Sequence, residues 1–84
     1  MYYVYILKSL KDNKIYTGFS SNLKLRLKEH MEGKVISTSY RRPLKLVYYE
    51  AYLSEEDAQK REKYLKNGGK AKSVLKVQIN SSLS

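Results

Sequence analysis

One helical position carries a carboxylate where the repeat of apolar residues predicts an apolar side chain. On the second predicted helix, Glu62 shares a face with Ala58 and Leu65, and this face should pack on the core. Glutamate is rarely buried without a partner. Glu62 is therefore either a functional carboxylate or half of an ordinary ion pair with Arg61 or Lys66, and the pattern leaves both open.

The chain's single histidine follows an arginine at helical spacing. Arg26 and His30 are four residues apart, so they are neighbours on the first predicted helix, beside the apolar face of Leu23 and Leu27. This spacing predicts both side chains at the border between core and solvent, where a cleft can form. A packed histidine and a solvated arginine are the plainer interpretation.

Two tyrosines are predicted to line one face of a hairpin. A two-residue turn at residues 12–13 sets Ser9 opposite Tyr16, and Tyr5 then shares the face of Tyr16, with open space at Gly18 between the rings. A slip of one residue would separate the two phenols. Nine tyrosines in 84 residues also favour simple packing roles for most of them.

The elements that must position these residues form an α+β domain. The first predicted strand is apolar on both faces and should be central in a three-stranded sheet, with helices packed on it in the order ββαβα(α). Gly33 should end the first helix and the pair 68–69 the second. We predict strands over 2–10, 14–19 and 44–52, helices over 22–32, 54–67 and 70–77, a mobile loop over 34–43 and a frayed tail over 78–84.

Composition favours a polyanionic partner. The 84 residues make a single domain with a formal charge of +9, from 17 Lys plus Arg against 8 Asp plus Glu, which attracts nucleic acid. The absence of cysteine excludes disulfides and thiolate metal sites. No long apolar run or signal peptide occurs, so we expect a cytoplasmic protein away from membranes. A serine triad and a cysteine nucleophile are poorly supported by one histidine and no cysteine, and no Gly-rich phosphate loop occurs.

Four short motifs, in this order and spacing, resemble those of the GIY-YIG nuclease domain. They are Tyr3-Val4-Tyr5, Tyr16-Thr17-Gly18, Arg26 with His30, and Arg61-Glu62-Lys63. The similarity runs from residue 2 to about 77 and is strongest to a small single-domain bacterial group related to the N-terminal domain of a DNA repair excinuclease. The sequence departs from the motifs at Tyr3, Val4 and Thr17, none of which removes a reactive group.

This resemblance implies an antiparallel sheet and hydrolysis of phosphodiester bonds with Mg²⁺ or Mn²⁺. It implies that Glu62 holds the metal, that Arg26 binds the phosphate, and that one tyrosine activates the attacking water. We assign that role to Tyr5, with Tyr16 orienting water or phosphate and His30 assisting. A tyrosine is a poor base at pH 7 unless nearby cations or the metal lower its pKa.

The leading hypothesis is a metal-dependent endonuclease of structure-specific or low-specificity type. It would act on DNA rather than RNA, as a monomer, without a small-molecule cofactor. A nucleic-acid-binding module without turnover is the alternative, and a basic protein that binds acidic partners is a third. The residues predicted to contact phosphates are Lys24, Lys28, Arg41, Arg42 and Lys45.

Overall fold

In a computed structural model of the chain, residues 1–67 and 69–84 are described, and they form a sheet with helices on both sides. No helix in these two ranges is long and apolar enough to cross a membrane. The predicted end of the second helix includes residue 68, which lies outside the described residues. The elements are β1 (Tyr2–Ser9), β2 (Ile15–Ser20), α1 (Leu23–Met31), a 3-10 turn (Ser39–Arg41), β3 (Leu44–Tyr52), α2 (Glu55–Lys66), α3 (Gly69–Gln78) and α4 (Asn80–Leu83).

The sheet is antiparallel and has the order β2-β1-β3. β1 is central because its run Val4–Leu7 is apolar on both faces, and each of these four residues is at most 1% exposed. This confirms the predicted α+β fold with a three-stranded sheet.

The two faces of the sheet differ in chemistry. Val4 and Ile6 point to the core face, where they pack with Ala58 and Leu65 of α2 and Leu75 of α3. Tyr3 and Tyr5 of β1 point to the opposite face. We call it the tyrosine face because it also carries Tyr16 of β2 and Tyr49 of β3.

The register of the β1–β2 hairpin differs from the predicted one by two residues. Leu7 and not Ser9 lies opposite Tyr16, and the Ser9 N–H donates to the Lys14 carbonyl, so the turn comprises residues 10–13 in place of 12–13. The Ser9 Oγ accepts hydrogen bonds from the backbone N–H groups of Lys11 and Asp12, and the Asp12 carboxylate accepts one from the N–H of Lys14. These local bonds stabilise the longer turn. Because the shift is an even number, every side chain stays on its predicted face.

Both main helices begin at side chains that cap their first turn. The Asn22 side chain accepts from the N–H of Leu25 at the start of α1, and the Ser54 side chain accepts from the N–H of Asp57 at the start of α2. α1 ends before Gly33, which has a φ of +76°. This is the left-handed conformation that favours glycine after a helix.

Two segments are more ordered than their polarity indicates. Val35 and Thr38 are buried in the stretch predicted as a mobile loop. The predicted frayed tail contains the short helix α4, and the Leu83 carbonyl accepts a hydrogen bond from the Lys8 ammonium group. Both segments are held in place by contacts with residues far away in the sequence. The periodicity of apolar residues does not predict such contacts.

Candidate active site

Tyr5 lies at the centre of the tyrosine face and is 1% exposed. Its ring crosses Gly18, its partner on β2, so closely that a Cβ atom on Gly18 would lie 2.3 Å from the Tyr5 Cζ. The prediction of open space at Gly18 is therefore wrong, because the Tyr5 ring fills it. Tyr16 lies on the same face, and its ring centroid is 6.5 Å from that of Tyr5.

His30 is fully buried between the two tyrosines. Its ring centroid is 5.6 Å from that of Tyr5 and 5.5 Å from that of Tyr16, both in edge contact. Its Nε2 atom is 2.8 Å from the Tyr5 hydroxyl, and its Nδ1 atom is 2.7 Å from the Thr38 Oγ1. The prediction that His30 lies at the border with solvent is wrong, because α1 turns it onto the sheet.

Arg26 lies one helical turn before His30 and remains partly exposed. It forms an ion pair with Glu29 at 3.2 Å, in which both side chains are 37% exposed. Its guanidinium group also interacts with the Tyr5 hydroxyl. Arg26 therefore joins the buried tyrosine to the solvent side of the site, which agrees with the border position predicted for it.

Glu62 reaches the same site from α2. It pairs with Lys66 at 3.3 Å, and its side chain is only 21% exposed. The Lys66 ammonium group in turn lies 5.8 Å from the centroid of the Tyr16 ring, and the charge of Glu62 acts on Tyr5. The alternative partner Arg61 points elsewhere and pairs with Glu50. Glu62 thus has the ion pair of the plainer interpretation, and its charge also acts on Tyr5.

Four of the five residues predicted for catalysis meet on the tyrosine face, and the fifth, Glu62 of α2, is linked to them through its charge and through Lys66. We call this group the Tyr5 cluster; its members are Tyr5, Tyr16, Arg26, His30 and Glu62. Thr38 and Lys66 contact it as well. Sequence reasoning considered Lys66 only as an ion-pair partner of Glu62, and it missed Thr38, which lies in a polar stretch without periodicity.

The protein environment disfavours the charged forms of both Tyr5 and His30. Burial raises the pKa of Tyr5 to about 12, with smaller increases from the charges of Tyr16 and Glu62, although Arg26 acts in the opposite direction. Burial also lowers the pKa of His30 from its ordinary value, and the charge of Arg26 lowers it further, while Glu29 opposes both. Both side chains are therefore neutral at pH 7.

One arrangement of protons satisfies this neutral network. A neutral imidazole has one donor and one acceptor nitrogen, and arginine can only donate. We assign the Tyr5 O–H as donor to His30 Nε2, which leaves the Tyr5 oxygen free to accept from Arg26. His30 then donates from Nδ1 to the Thr38 oxygen. Tyr5 is thereby bonded to a base that can take its proton.

The ligand set for a metal is small. No group of three or more His, Cys, Asp or Glu residues that could hold a metal occurs in the described part of the chain. Glu62 nevertheless fits a magnesium site, because Mg²⁺ binds through one or two carboxylates and takes its other ligands from water and phosphate oxygens. The Glu62 carboxylate, with its side chain 21% exposed, is a donor of this type.

Four of the predicted phosphate contacts lie on α1 or in the loop after it. Lys24 and Lys28 are exposed on α1, one turn apart. Arg42 is also exposed, and its Nε donates to the carbonyl of Ser39. Arg41 is half-buried.

The fifth predicted contact, Lys45, is on the wrong face. It pairs with Lys8 across β1 and β3, and Lys8 points to the core face, where it bonds to Leu83. Paired residues in antiparallel strands share a face. The prediction groups Lys45 with the other cations because it follows Arg42 closely in sequence, but the start of β3 turns its side chain away from the Tyr5 cluster.

Comparison with known proteins gives one consistent family. The model of the GIY-YIG catalytic domain matches residues 1–74. A UPF0213 protein of Clostridium perfringens is 45% identical over an alignment of 85 residues, which covers 100% of this chain and 87% of the relative. A UPF0213 protein of Staphylococcus haemolyticus is 44% identical over 66 residues, which covers 77% of this chain and 79% of that one. The resemblance inferred from the four motifs is thereby confirmed.

The fold is also found in a solved structure. The solution NMR structure of a UPF0213 protein from Bacillus halodurans matches with a TM-score of 0.58 and 36% sequence identity. The match covers 94% of this chain and 85% of that protein.

Proposed function

Because the chain belongs to the GIY-YIG catalytic domain family, we propose that it is a divalent-metal-dependent endonuclease that hydrolyses phosphodiester bonds in nucleic acid, DNA in preference to RNA. The observation that supports this proposal is the contact of Tyr5 with His30 beside Arg26, together with the half-buried Glu62 carboxylate whose charge acts on Tyr5. These side chains supply a proton acceptor, a phosphate ligand and a metal ligand, which are the groups that such a hydrolysis needs.

Tyr5 and His30 act together to activate the attacking water. With a pKa of about 12, Tyr5 is almost never ionised at pH 7, so it cannot act alone as a base. His30 Nε2 is 2.8 Å from its hydroxyl and is neutral. As the water oxygen bonds to phosphorus, its proton passes to the Tyr5 oxygen and the Tyr5 proton passes to His30. The P–O bond on the far side breaks, and the departing oxygen takes a proton from solvent.

Thr38 completes the assigned arrangement of protons. In it the Thr38 Oγ1 accepts from His30 Nδ1, 2.7 Å away, and Nε2 is the acceptor that faces Tyr5. After the transfer, the charge of Arg26 lowers the proton affinity of His30 and helps it to release the proton. His30 is ready for a new cycle once the proton has left.

Arg26 is the phosphate ligand. Its guanidinium group pairs with Glu29 at 3.2 Å and also acts on the Tyr5 hydroxyl, and the side chain is 37% exposed. Arginine has five donors in a fixed fork, so it can keep both contacts and still donate to a phosphate oxygen. In this position it offsets the negative charge that develops during hydrolysis.

Glu62 would hold Mg²⁺ or Mn²⁺ at the edge of the Tyr5 cluster. When bound, the ion polarises a phosphate oxygen as a Lewis acid. The Lys66 ammonium group pairs with Glu62 at 3.3 Å and lies 5.8 Å from the centroid of the Tyr16 ring, so one cation contacts both side chains. In this proposal Tyr16 orients water or phosphate with its hydroxyl.

The test is cleavage of labelled linear, flapped and branched DNA and RNA with Mg²⁺ or Mn²⁺. Glu62→Ala should abolish cleavage and leave folding and most DNA binding intact. Glu56→Ala is the matched control, because Glu56 pairs with Lys60 on the same helix with the same spacing but is 74% exposed in its side chain. It should cleave like the wild type.

Two outcomes contradict parts of the proposal. Cleavage by Glu62→Ala at the wild-type rate would remove Glu62 as the metal ligand. Salt-sensitive binding by the wild type without cleavage of any substrate would instead favour the alternative, a nucleic-acid-binding module with this fold.

A further inference from the structure

A cleft of about 400 Å³ opens on the tyrosine face next to the Tyr5 cluster. We call it the α1 cleft, because the start of α1 forms one wall and the strands β1 and β3 form the other. None of the residues proposed for catalysis lines it, so it is a separate site. Its lining residues are Tyr3, Ser21, Asn22, Leu23, Lys24, Leu27 and Tyr49.

Two aromatic rings form the strand wall of the α1 cleft. Tyr49 is 54% exposed, and its ring centroid is 6.2 Å from that of Tyr3 at an interplanar angle of 61°. Leu23 and Leu27 of α1 face these rings across the cleft. A flat apolar group could therefore contact an aromatic face on one side and leucine side chains on the other.

The charge of the α1 cleft points to an anionic ligand. Lys24 is the charged residue in its lining, and no acidic side chain occurs among the described residues that line it. The chain as a whole carries +9. A partner that combines a flat π face with a negative charge is a nucleotide, because its base stacks on tyrosine and its phosphate pairs with lysine.

The α1 cleft is adjacent to the Tyr5 cluster along both β1 and α1. Tyr3 precedes Tyr5 by two residues on one face of β1, a distance of about 6.6 Å along the strand. On α1, Leu27 of the cleft follows Arg26 of the cluster directly. A strand whose phosphate lies at Arg26 therefore has an adjacent nucleotide at the cleft.

We propose that the α1 cleft binds one unpaired nucleobase of the strand to be cut, stacked on Tyr49. The proposal rests on the proposed nuclease function. In a duplex both faces of a base are covered by its neighbours, so only a single-stranded or displaced base can stack on a side chain. The substrate class is thus nucleic acid with unpaired nucleotides beside the scissile bond.

The test measures binding without cleavage, by fluorescence anisotropy in the Glu62→Ala background. The probes are a labelled oligothymidylate, an abasic sugar–phosphate strand of the same length, and a duplex. Tyr49→Thr removes the ring and keeps good strand propensity, while Tyr49→Phe keeps the ring. Tyr64→Ala is the matched control, because Tyr64 is 58% exposed on α2.

We expect Tyr49→Thr to weaken oligothymidylate binding by about tenfold or more, and to leave binding of the abasic strand and the duplex unchanged. Tyr49→Phe and Tyr64→Ala should bind like their parent. Equal loss for all three probes, or no loss in a Tyr49→Thr variant that melts like its parent, would overturn the proposal.

This test separates the cleft from the nuclease proposal. If the wild type cuts no substrate but binding of bases still depends on Tyr49, the cleft stands and the nuclease function fails. If the wild type cuts nucleic acid and Tyr49→Thr binds and cuts like it, only the cleft proposal fails.

Discussion

At the scale of single residues, Tyr5 links the fold of the sheet to its proposed chemistry. Its ring fills the space over Gly18, and its hydroxyl contacts His30 in the interior. A pKa of about 12 leaves about one phenol in 10⁵ ionised at pH 7. The burial that makes Tyr5 a core residue therefore also makes it dependent on His30 as a proton acceptor.

The pH dependence of cleavage distinguishes this pair from a free phenolate. Because the pKa of His30 is lowered from 6.5, its imidazole is protonated only at acidic pH. We expect the single-turnover rate to rise with pH below about 6.5 and then to level off. A rate that continues to rise tenfold per pH unit to pH 9 would show that hydroxide or a phenolate is the base.

His30→Gln provides the control for this profile. Glutamine can hydrogen-bond to Thr38 and Tyr5 but cannot take a proton. The variant should be slower by about 10²- to 10⁴-fold and should lose the acidic limb. A His30→Gln variant that keeps the wild-type profile would contradict the assignment.

At the scale of the elements, one polar network fastens α2 to β3. The Glu50 carboxylate accepts two hydrogen bonds from Arg61, at 2.9 and 3.0 Å, and one each from the hydroxyls of Tyr48 and Tyr52. Burial would raise the pKa of Glu50, but these hydrogen bonds and the charge of Arg61 hold it below its ordinary value. Since Arg61 precedes Glu62, the network also restricts how α2 presents Glu62 to the Tyr5 cluster.

Removing the Glu50 charge should destabilise the protein. The Glu50 side chain is 15% exposed, and Glu50→Gln leaves Arg61 half-buried without its counter-charge. We expect a loss of about 2 kcal/mol in the free energy of unfolding at pH 7, measured by urea denaturation. Glu56→Gln, in the exposed pair with Lys60, should cost less than about 1 kcal/mol.

The same network predicts how stability responds to acid. A carboxyl whose pKa is lowered in the folded state contributes stability above its unfolded pKa, here about 4.5, and loses it as pH falls through the folded value. The wild type should therefore lose more stability below pH 4.5 than Glu50→Gln does. Parallel pH curves for the two proteins would rule out this contribution.

The sequence allowed the sheet and most of the Tyr5 cluster to be predicted because both depend on periodicity. The prediction that Tyr5 and Tyr16 share one face is correct although the predicted turn is wrong, since an even shift of register preserves the face. The burial of His30 and the contact with Thr38 could not be predicted, because they depend on how the loop after α1 folds back over the sheet. The partner of Glu50 likewise depends on where α2 docks.

At the scale of the whole molecule, the net charge of +9 attracts a polyanion but does not specify a binding surface. The structure divides the candidate cations between two faces. Lys24 and Lys28 lie on α1, which covers the tyrosine face, whereas Lys45 shares the core face with Lys8. If nucleic acid binds at the Tyr5 cluster, removing one positive charge from α1 should weaken nucleic-acid binding more than removing one from the core face.

The salt dependence of the binding constant measures the contribution of each lysine to phosphate binding. For single strands the slope of log K against log salt falls by about 0.7 for each lost phosphate contact. Lys24→Gln and Lys28→Gln should each reduce the slope by about that amount in anisotropy titrations from 50 to about 200 mM salt, and Lys45→Gln should leave it unchanged. All three variants lose the same charge, so equal slopes would mean that the overall field, and not a surface at the Tyr5 cluster, holds the strand. Unequal slopes would place the phosphate backbone along α1, on the side where Arg26 could reach it.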